Sequence, residues 1–221
     1  MTTHHPPRQI RAVHDEHSLV VYQAYPAAVA EAALAAGTFV APFKRERMTW
    51  IKPSFRWTMY RSGWGTKAGQ ERVLAVRISR AGFEWALDRS CPSHYDRDRH
   101  ASAAAWKAEL RTSPVRVQWD PERSTALGAL PHRALQLGLS GEAVDRYADE
   151  WILTVTDATA LAHEARDLVR AGRAAAADAL IPAETAYPLS DRLALRITAG
   201  GSRDPRARER PGAGRPQARM E

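Results

Sequence analysis

The sequence predicts an α+β fold: a single domain with a mixed or antiparallel central sheet flanked by helices. Three observations carry that expectation. Short β-prone runs at 18–25, 71–79 and 150–157 are separated by stretches with helical spacing. Breakers such as Pro26, Gly37, Pro42 and Pro53 close one element before the next begins. A chain of 221 residues, 44% hydrophobic and 26% charged, has the size and composition of one domain with a sizeable core and a tail. The domain is expected over residues 8–198.

Residues 18–25 form the first expected strand, because Leu19, Val20, Val21 and Tyr22 run almost without interruption. Pro26 opens an Ala-rich helix that Gly37 closes, and 38–41 reads as a short second strand. Pro53 forbids a continuous helix through the following segment. Ser54 instead caps a helix to about residue 62. On that helix Phe55 and Met59 share a core face, while Trp57, Tyr60, Arg61 and Trp64 share a face suited to a ligand wall. Residues 71–79 are the clearest strand. A helix follows over 82–89, then another over 101–112 buried through Trp106 and Leu110. Strands are expected at 114–119 and 133–139, with a turn at 120–123 whose Asp120 and Glu122 suit salt bridges. A helix begins at 140–142, and 150–157 is a closing strand with Glu150 at its head. A helix over 159–171 and a last strand over 192–198 complete the domain. Residues 199–221 are Gly, Pro, Arg and Ala with little apolar bulk, and are expected to be disordered.

The net charge of +7 is concentrated: residues 41–80 hold ten Lys or Arg and two Asp or Glu. Within 42–64, Lys44, Arg45, Arg47, Lys52, Arg56 and Arg61 alternate with Phe43, Trp50, Phe55, Trp57, Tyr60 and Trp64, and Glu46 is the only acid. Cations beside flat rings suit an anionic, ring-bearing partner, either a nucleotide or a nucleic-acid strand. The competing expectation is that the rings pack in the core beneath the basic stems. The loop 63–69 matches neither phosphate-binding glycine pattern. Cys91 is the only cysteine, which excludes an internal disulfide. Cys91, His94 and His100 lack the spacing of a zinc site, so a polar loop and no metal are expected. No apolar run approaches a membrane span, and residues 1–9 lack a signal peptide's apolar centre. A cytoplasmic location is the default expectation.

The runs QIRAV at 9–13 and VVYQAY at 20–25, the block 39–63 and VRVQWDPER at 115–123 together resemble an uncharacterised family, domain of unknown function 4291. That resemblance covers about residues 5–170 and implies no activity. The order of elements also resembles the ADP-ribosyltransferase-like fold. Tyr22-Gln23-Ala24, the helix to Gly37, residues 38–40, Ser54 and Tyr60, and Glu150 follow that fold's sequence of site elements. Gln23 stands where His or Arg is usual, and a helix precedes Glu150 where a substrate loop normally sits. This second resemblance implies NAD as cofactor, with Glu150 stabilising positive charge on the ribose. Tyr22, Trp57 or Tyr60 would stack the nicotinamide. Arg45, Arg47 or Lys52 would neutralise the pyrophosphate, and Gln23 and Ser54 complete the cofactor-binding set. The alternative is a nonenzymatic module that binds single-stranded nucleic acid through residues 42–64.

Overall fold

In the computed structural model, which describes residues 5–198, two small sheets meet at a single bridge instead of forming one central sheet. The first sheet is antiparallel and holds β2 (Ser18–Tyr25), β4 (Arg72–Ser79) and β8 (Ile152–Asp157), with β4 in the middle. The second runs β3 (Thr49–Ile51), β7 (Ala129–Leu139), β6 (Val115–Arg123) and β5 (Ser90–Pro92). Only its β5–β6 pair is parallel. A two-residue ladder joins β1 (Arg11–Ala12) to β9 (Thr185–Ala186). The architecture is thus α+β, with one antiparallel and one mixed sheet. The expected tail at 199–221 lies outside the described residues.

Strand β2 reads as an unbroken apolar run because it is covered on both faces. Leu19 and Val21 pack with Leu74, Val76, Ile78, Phe39 and Tyr147. Val20 and Tyr22 pack on the other side with Phe55, Met59, Trp64 and Val73. Helix α1 (Ala27–Ala36) begins after Pro26 and ends at Gly37, whose φ of 72° is the left-handed turn glycine tolerates best. Helix α2 (Phe55–Ser62) is capped by Ser54, whose side chain accepts from the Trp57 N–H. Helices α3 (Arg80–Asp88), α4 (Ala103–Thr112), α5 (Glu142–Arg146), α6 (Thr159–Arg170), α7 (Ala174–Leu180) and α8 (Asp191–Thr198) follow. Among the described residues no helix is long and apolar enough to cross a membrane.

Five local expectations are corrected. Residues 38–41 form no strand: Phe39 is sealed in the core, and Thr38 Oγ1 donates to the Ala148 carbonyl at 2.5 Å, outside any ladder. Residues 120–123 are not a turn but the end of β6, with Asp120 opposite Ala134 and a bulge between Pro121 and Arg123. By then β6 has left β5 and is an edge strand, where a proline costs no ladder bond. Residues 192–198 are helical, because Leu193 and Ile197 bury one face at a four-residue interval. Glu150 does not head β8. It sits in a π-helical turn, Tyr147–Trp151, that buries Tyr147, Ala148 and Trp151 together. Gly82 on α3 admits Trp151, since a Cβ there would stand 2.3 Å from the indole. In α4 no residue is fully buried; Trp106 is half-buried and donates from Nε1 to the Pro92 carbonyl at 2.9 Å.

The two sheets are held together by buried polar groups. The Tyr22 N–H donates to the Lys52 carbonyl at 2.7 Å, making the single bridge. Next to it Gln23, 2% exposed, uses both ends of its amide. Nε2 donates to Tyr25 Oη at 2.8 Å and Thr49 Oγ1 at 2.9 Å, and Oε1 accepts from Tyr147 Oη at 2.6 Å. Tyr25 and Thr49 also hydrogen-bond each other at 2.8 Å. Tyr147→Phe strands the Gln23 carbonyl oxygen without a donor, and a buried orphan of this kind costs about 1–3 kcal/mol. Urea unfolding is expected to show a lower midpoint for that variant with an unchanged m-value. An unchanged midpoint would show that the network does not brace the sheets.

Candidate functional site

Beyond the Tyr22–Lys52 bridge β2 and β3 share no further ladder, and a cleft of about 780 Å³ lies there. Gln23 and Tyr25 line it from β2, Val29 from α1, and Thr49, Trp50 and Lys52 from β3 and its end. Thr58 and Arg61 come from α2, Gly69 and Gln70 from the following loop, and Phe43, Lys44 and Arg47 from the segment before β3. No carboxylate is among the lining residues.

The cations of the 42–64 segment divide into two sets. Arg45 leaves the cleft and grips Asp149 with two bonds of 2.6 Å, with Asp145 at 3.4 Å. Arg56 turns to Asp178 at 2.9 Å and Thr125 at 3.0 Å. Lys44, Arg47, Lys52 and Arg61 all line the cleft, and none has a carboxylate ion-pair partner among the described residues. Lys52 Nζ donates only to the carbonyl of Trp50, at 3.3 Å. Desolvation, and then Arg61 beside it, bring its amine down to about 8, with Asp120 acting weakly the other way. Trp50 lies over Gly138 of β7, its cross-strand partner; a Cβ there would come within 3.0 Å of the indole. The glycine therefore lets the ring lie close against the sheet beside the cleft.

Of the residues expected from sequence, the cleft brings together Gln23, Arg47 and Lys52, with Lys44 of the basic segment and Arg61 of the expected ligand wall. The others stand elsewhere. Tyr22 is 2% exposed and packs edge-on against Phe55. Trp57 is buried and stacks on Tyr60 at 5.2 Å, and the Arg123 guanidinium lies 3.7 Å from the Tyr60 ring centroid. Trp64 is also sealed. Arg45 is consumed by its ion pairs. Glu150 is bound by Arg146 at 2.8 Å and does not line the cleft, so the expected meeting of Tyr22, Tyr60 and Glu150 does not occur there. The rings that do line it are Tyr25, Phe43 and Trp50. Phe43 and Trp50 belong to the basic, ring-rich segment, but nothing local separates them from Trp57.

Cys91, His100 and Glu109 bring potential ligand atoms within 4.8 Å of one another. The Glu109 carboxylate is already bonded to His100 Nε2 at 3.1 Å, with Arg196 at 3.7 Å and Arg99 at 4.0 Å. The Cys91 thiol is fully buried and pushed up to about 11 by desolvation and by Glu109. Two guanidinium groups on the only carboxylate make this cluster an ion-paired packing site.

Comparison with protein families matches residues 9–187 to the model described as Domain of unknown function (DUF4291). Comparison with curated proteins gives no match.

Ser54, expected at the cofactor, instead closes a second polar cluster at the start of α2. Its hydroxyl donates to Glu122 Oε1 at 3.0 Å, and the Phe55 N–H donates to Glu184 Oε1 at 2.7 Å. Two carboxylates at one helix N-terminus are favoured by its dipole but oppose each other. Burial, and then Glu122, push Glu184 up to about 8. A raised carboxyl keeps in the folded state a proton that the unfolded chain releases. Its contribution is therefore full below about pH 4.5 and is lost as pH rises towards 8. Glu184→Gln preserves the oxygen that accepts from Phe55. At pH 8.5 it is expected to raise the melting temperature above wild type, by about 2–4 °C for each kcal/mol recovered. The gain should vanish below pH 4.5, and a gain independent of pH would reject this assignment.

Proposed function

The chain belongs to the DUF4291 family, whose description assigns no activity, and from its cleft we propose that it binds a nucleotide. Its phosphates sit on the cations and its base against the rings. One observation carries the reading: Lys44, Arg47, Lys52 and Arg61 surround a single hollow with no carboxylate among its described lining residues. Cations converging on one space without ion-pair partners among the described residues create a positive potential that attracts an anion. Arg47 and Arg61 offer planar forks to phosphate oxygens, while Phe43 and Trp50 offer apolar faces to a base.

Size favours a nucleotide over a strand. About 780 Å³ falls within the range of small-molecule sites, and the lining rings share one hollow instead of following a groove. NAD, with two phosphates and two ring systems, is the dinucleotide that the fold resemblance implied and the first to test. Transfer chemistry at Glu150 is not part of this reading, because its carboxylate is held by Arg146 away from the cleft.

Thermal shift and calorimetry with NAD, ADP and a single-stranded oligonucleotide test it. A nucleotide at about a hundred times its Kd adds ~2.7 kcal/mol to stability. Arg47→Ala and Arg61→Ala are each expected to weaken binding by roughly tenfold or more, the value of a hydrogen bond to a charged group. Affinity should also fall as pH rises through about 8, where Lys52 loses the proton that a bound anion favours. Oligonucleotide binding with a steep salt dependence and no response to nucleotides would replace this reading with the strand-binding one. No response to any of the three would remove it.

A further inference from the structure

We propose that Lys52 is a covalent site: seated phosphate on Arg47 and Arg61 presents a carbonyl carbon to its ε-amine, which adds to it and forms an imine. The ligand class is a phosphorylated aldehyde or ketone. The inference rests on the anion-binding reading of the cleft and specifies the chemistry that its lysine performs.

Three observations converge on this residue. The first is its surroundings. The charged groups facing Lys52 are Arg61 from α2 and Asp120 from β6, with Lys44 and Arg47 in the same cleft. Asp120 is engaged by Gln118 Nε2 at 3.0 Å and Gln136 Nε2 at 2.5 Å, and no carboxylate among the described residues forms an ion pair with the amine. The second is what holds the amine in place. The Lys52 backbone is fixed by the sheet-to-sheet bridge, and its Nζ makes one long bond to Trp50. An amine that is anchored at its root, weakly bonded at its tip and open to a cleft is placed to attack a ligand. Its neutral form, the nucleophile, is well populated near pH 8. The third is composition. The chain has 28 arginines and only four lysines, at 44, 52, 67 and 107. Anion binding alone is served by arginine, which stays charged and binds phosphate with two parallel bonds. A lysine adds what arginine lacks, a proton it can release and a lone pair.

The step balances without a further reagent. The amine lone pair attacks the carbonyl carbon, forming the C–N bond and a carbinolamine. The carbonyl oxygen then leaves as water, carrying the two protons of the neutral amine, and the C=N bond remains. No electron acceptor is needed, and hydrolysis reverses the step. The neighbouring guanidinium groups favour the phosphate while disfavouring charge on the free amine, so the same cations serve both binding and reactivity.

Pyridoxal 5′-phosphate, an aldehyde with a phosphate, is the probe, and pyridoxal without the phosphate is its control. The full-length chain is treated with each at pH 8, reduced with borohydride and mapped by peptide mass spectrometry, while thermal shift reports cleft occupancy separately. A single reduced adduct at Lys52 is expected, with Lys44, Lys67 and Lys107 largely unlabelled. Labelling should rise with pH, with a midpoint above the empty-cleft value of about 8 because the seated phosphate favours the protonated amine, and inorganic phosphate should suppress it. Omitting the phosphate should reduce it by roughly tenfold or more, following the loss of charge-assisted bonds. Lys52→Arg keeps the charge and should abolish the adduct while still giving a thermal shift. A thermal shift with no adduct at Lys52, or with adducts spread over all four lysines, overturns the covalent site and leaves the anion cleft standing. Equal labelling by pyridoxal, with no thermal shift from the phosphate ester, overturns the anion cleft and the covalent site with it.

Discussion

The amide of Gln23 is the constraint on which the structure turns. It is buried between two sheets, where an unsatisfied polar group is costly, so its partners are effectively obligatory. Those partners come from β2 itself, from Thr49 of β3 and from Tyr147 in the π-helical turn. One side chain thereby fixes how the two sheets face each other, together with the Tyr22–Lys52 bridge beside it. The cleft begins where that contact ends. Its floor is an amide, a threonine hydroxyl and a tyrosine hydroxyl, all neutral. A floor built from carboxylates would have cancelled the surrounding cations; this one leaves their field intact.

Sorting those cations required the tertiary structure. Arg45 and Arg47 are two residues apart and alike in every local respect. Arg45 is neutralised by Asp149 and Arg56 by Asp178, partners separated from them by 104 and 122 positions in sequence. The sequence marks the segment and its surplus charge, but carboxylates more than a hundred positions away leave no local trace in it. Burial separated the rings in the same way. Tyr22 lies on a strand covered on both faces, and Trp57 is held in place by the helix that Ser54 caps. Phe43 and Trp50, without such cover, remained beside the opening.

Elements specified by local chemistry were legible. The Pro26 and Gly37 boundaries, the Ser54 cap and the alternation of β4 each follow from one residue type in one conformation. The failures share a different cause. At 38–41 the burial of Phe39 and the bond from Thr38 to the π-turn override a modest β preference. At 192–198 a short amphipathic run suits either state until a core face selects the helical period. The sequence puts Glu150 at a strand head because its neighbours Trp151 and Ile152 are β-prone. Burying Tyr147, Ala148 and Trp151 together required a wider turn that pulls Trp151 onto Gly82 and leaves Glu150 at the surface with Arg146.

The choice of lysine at position 52 follows from the same electrostatics. An arginine there would stay protonated beside Arg61 at any accessible pH, and its repulsion would persist whenever the cleft was empty. Burial first, and then Arg61, favour the neutral amine of a lysine here and bring it down to about 8, so releasing a proton also relieves that repulsion. On the proposed reading, an anion entering the cleft would favour the protonated amine and draw the proton back. A cleft that binds anions in this way would adjust its charge to its contents, lower when empty and higher when an anion is present. A phosphate monoester, whose second ionisation lies near pH 6, arrives largely doubly charged at neutral pH and draws that proton more strongly than a singly charged anion. On the two proposals, position 52 would join the cleft's affinity to the protonation of a nucleophile, a link that four permanently charged arginines would not provide.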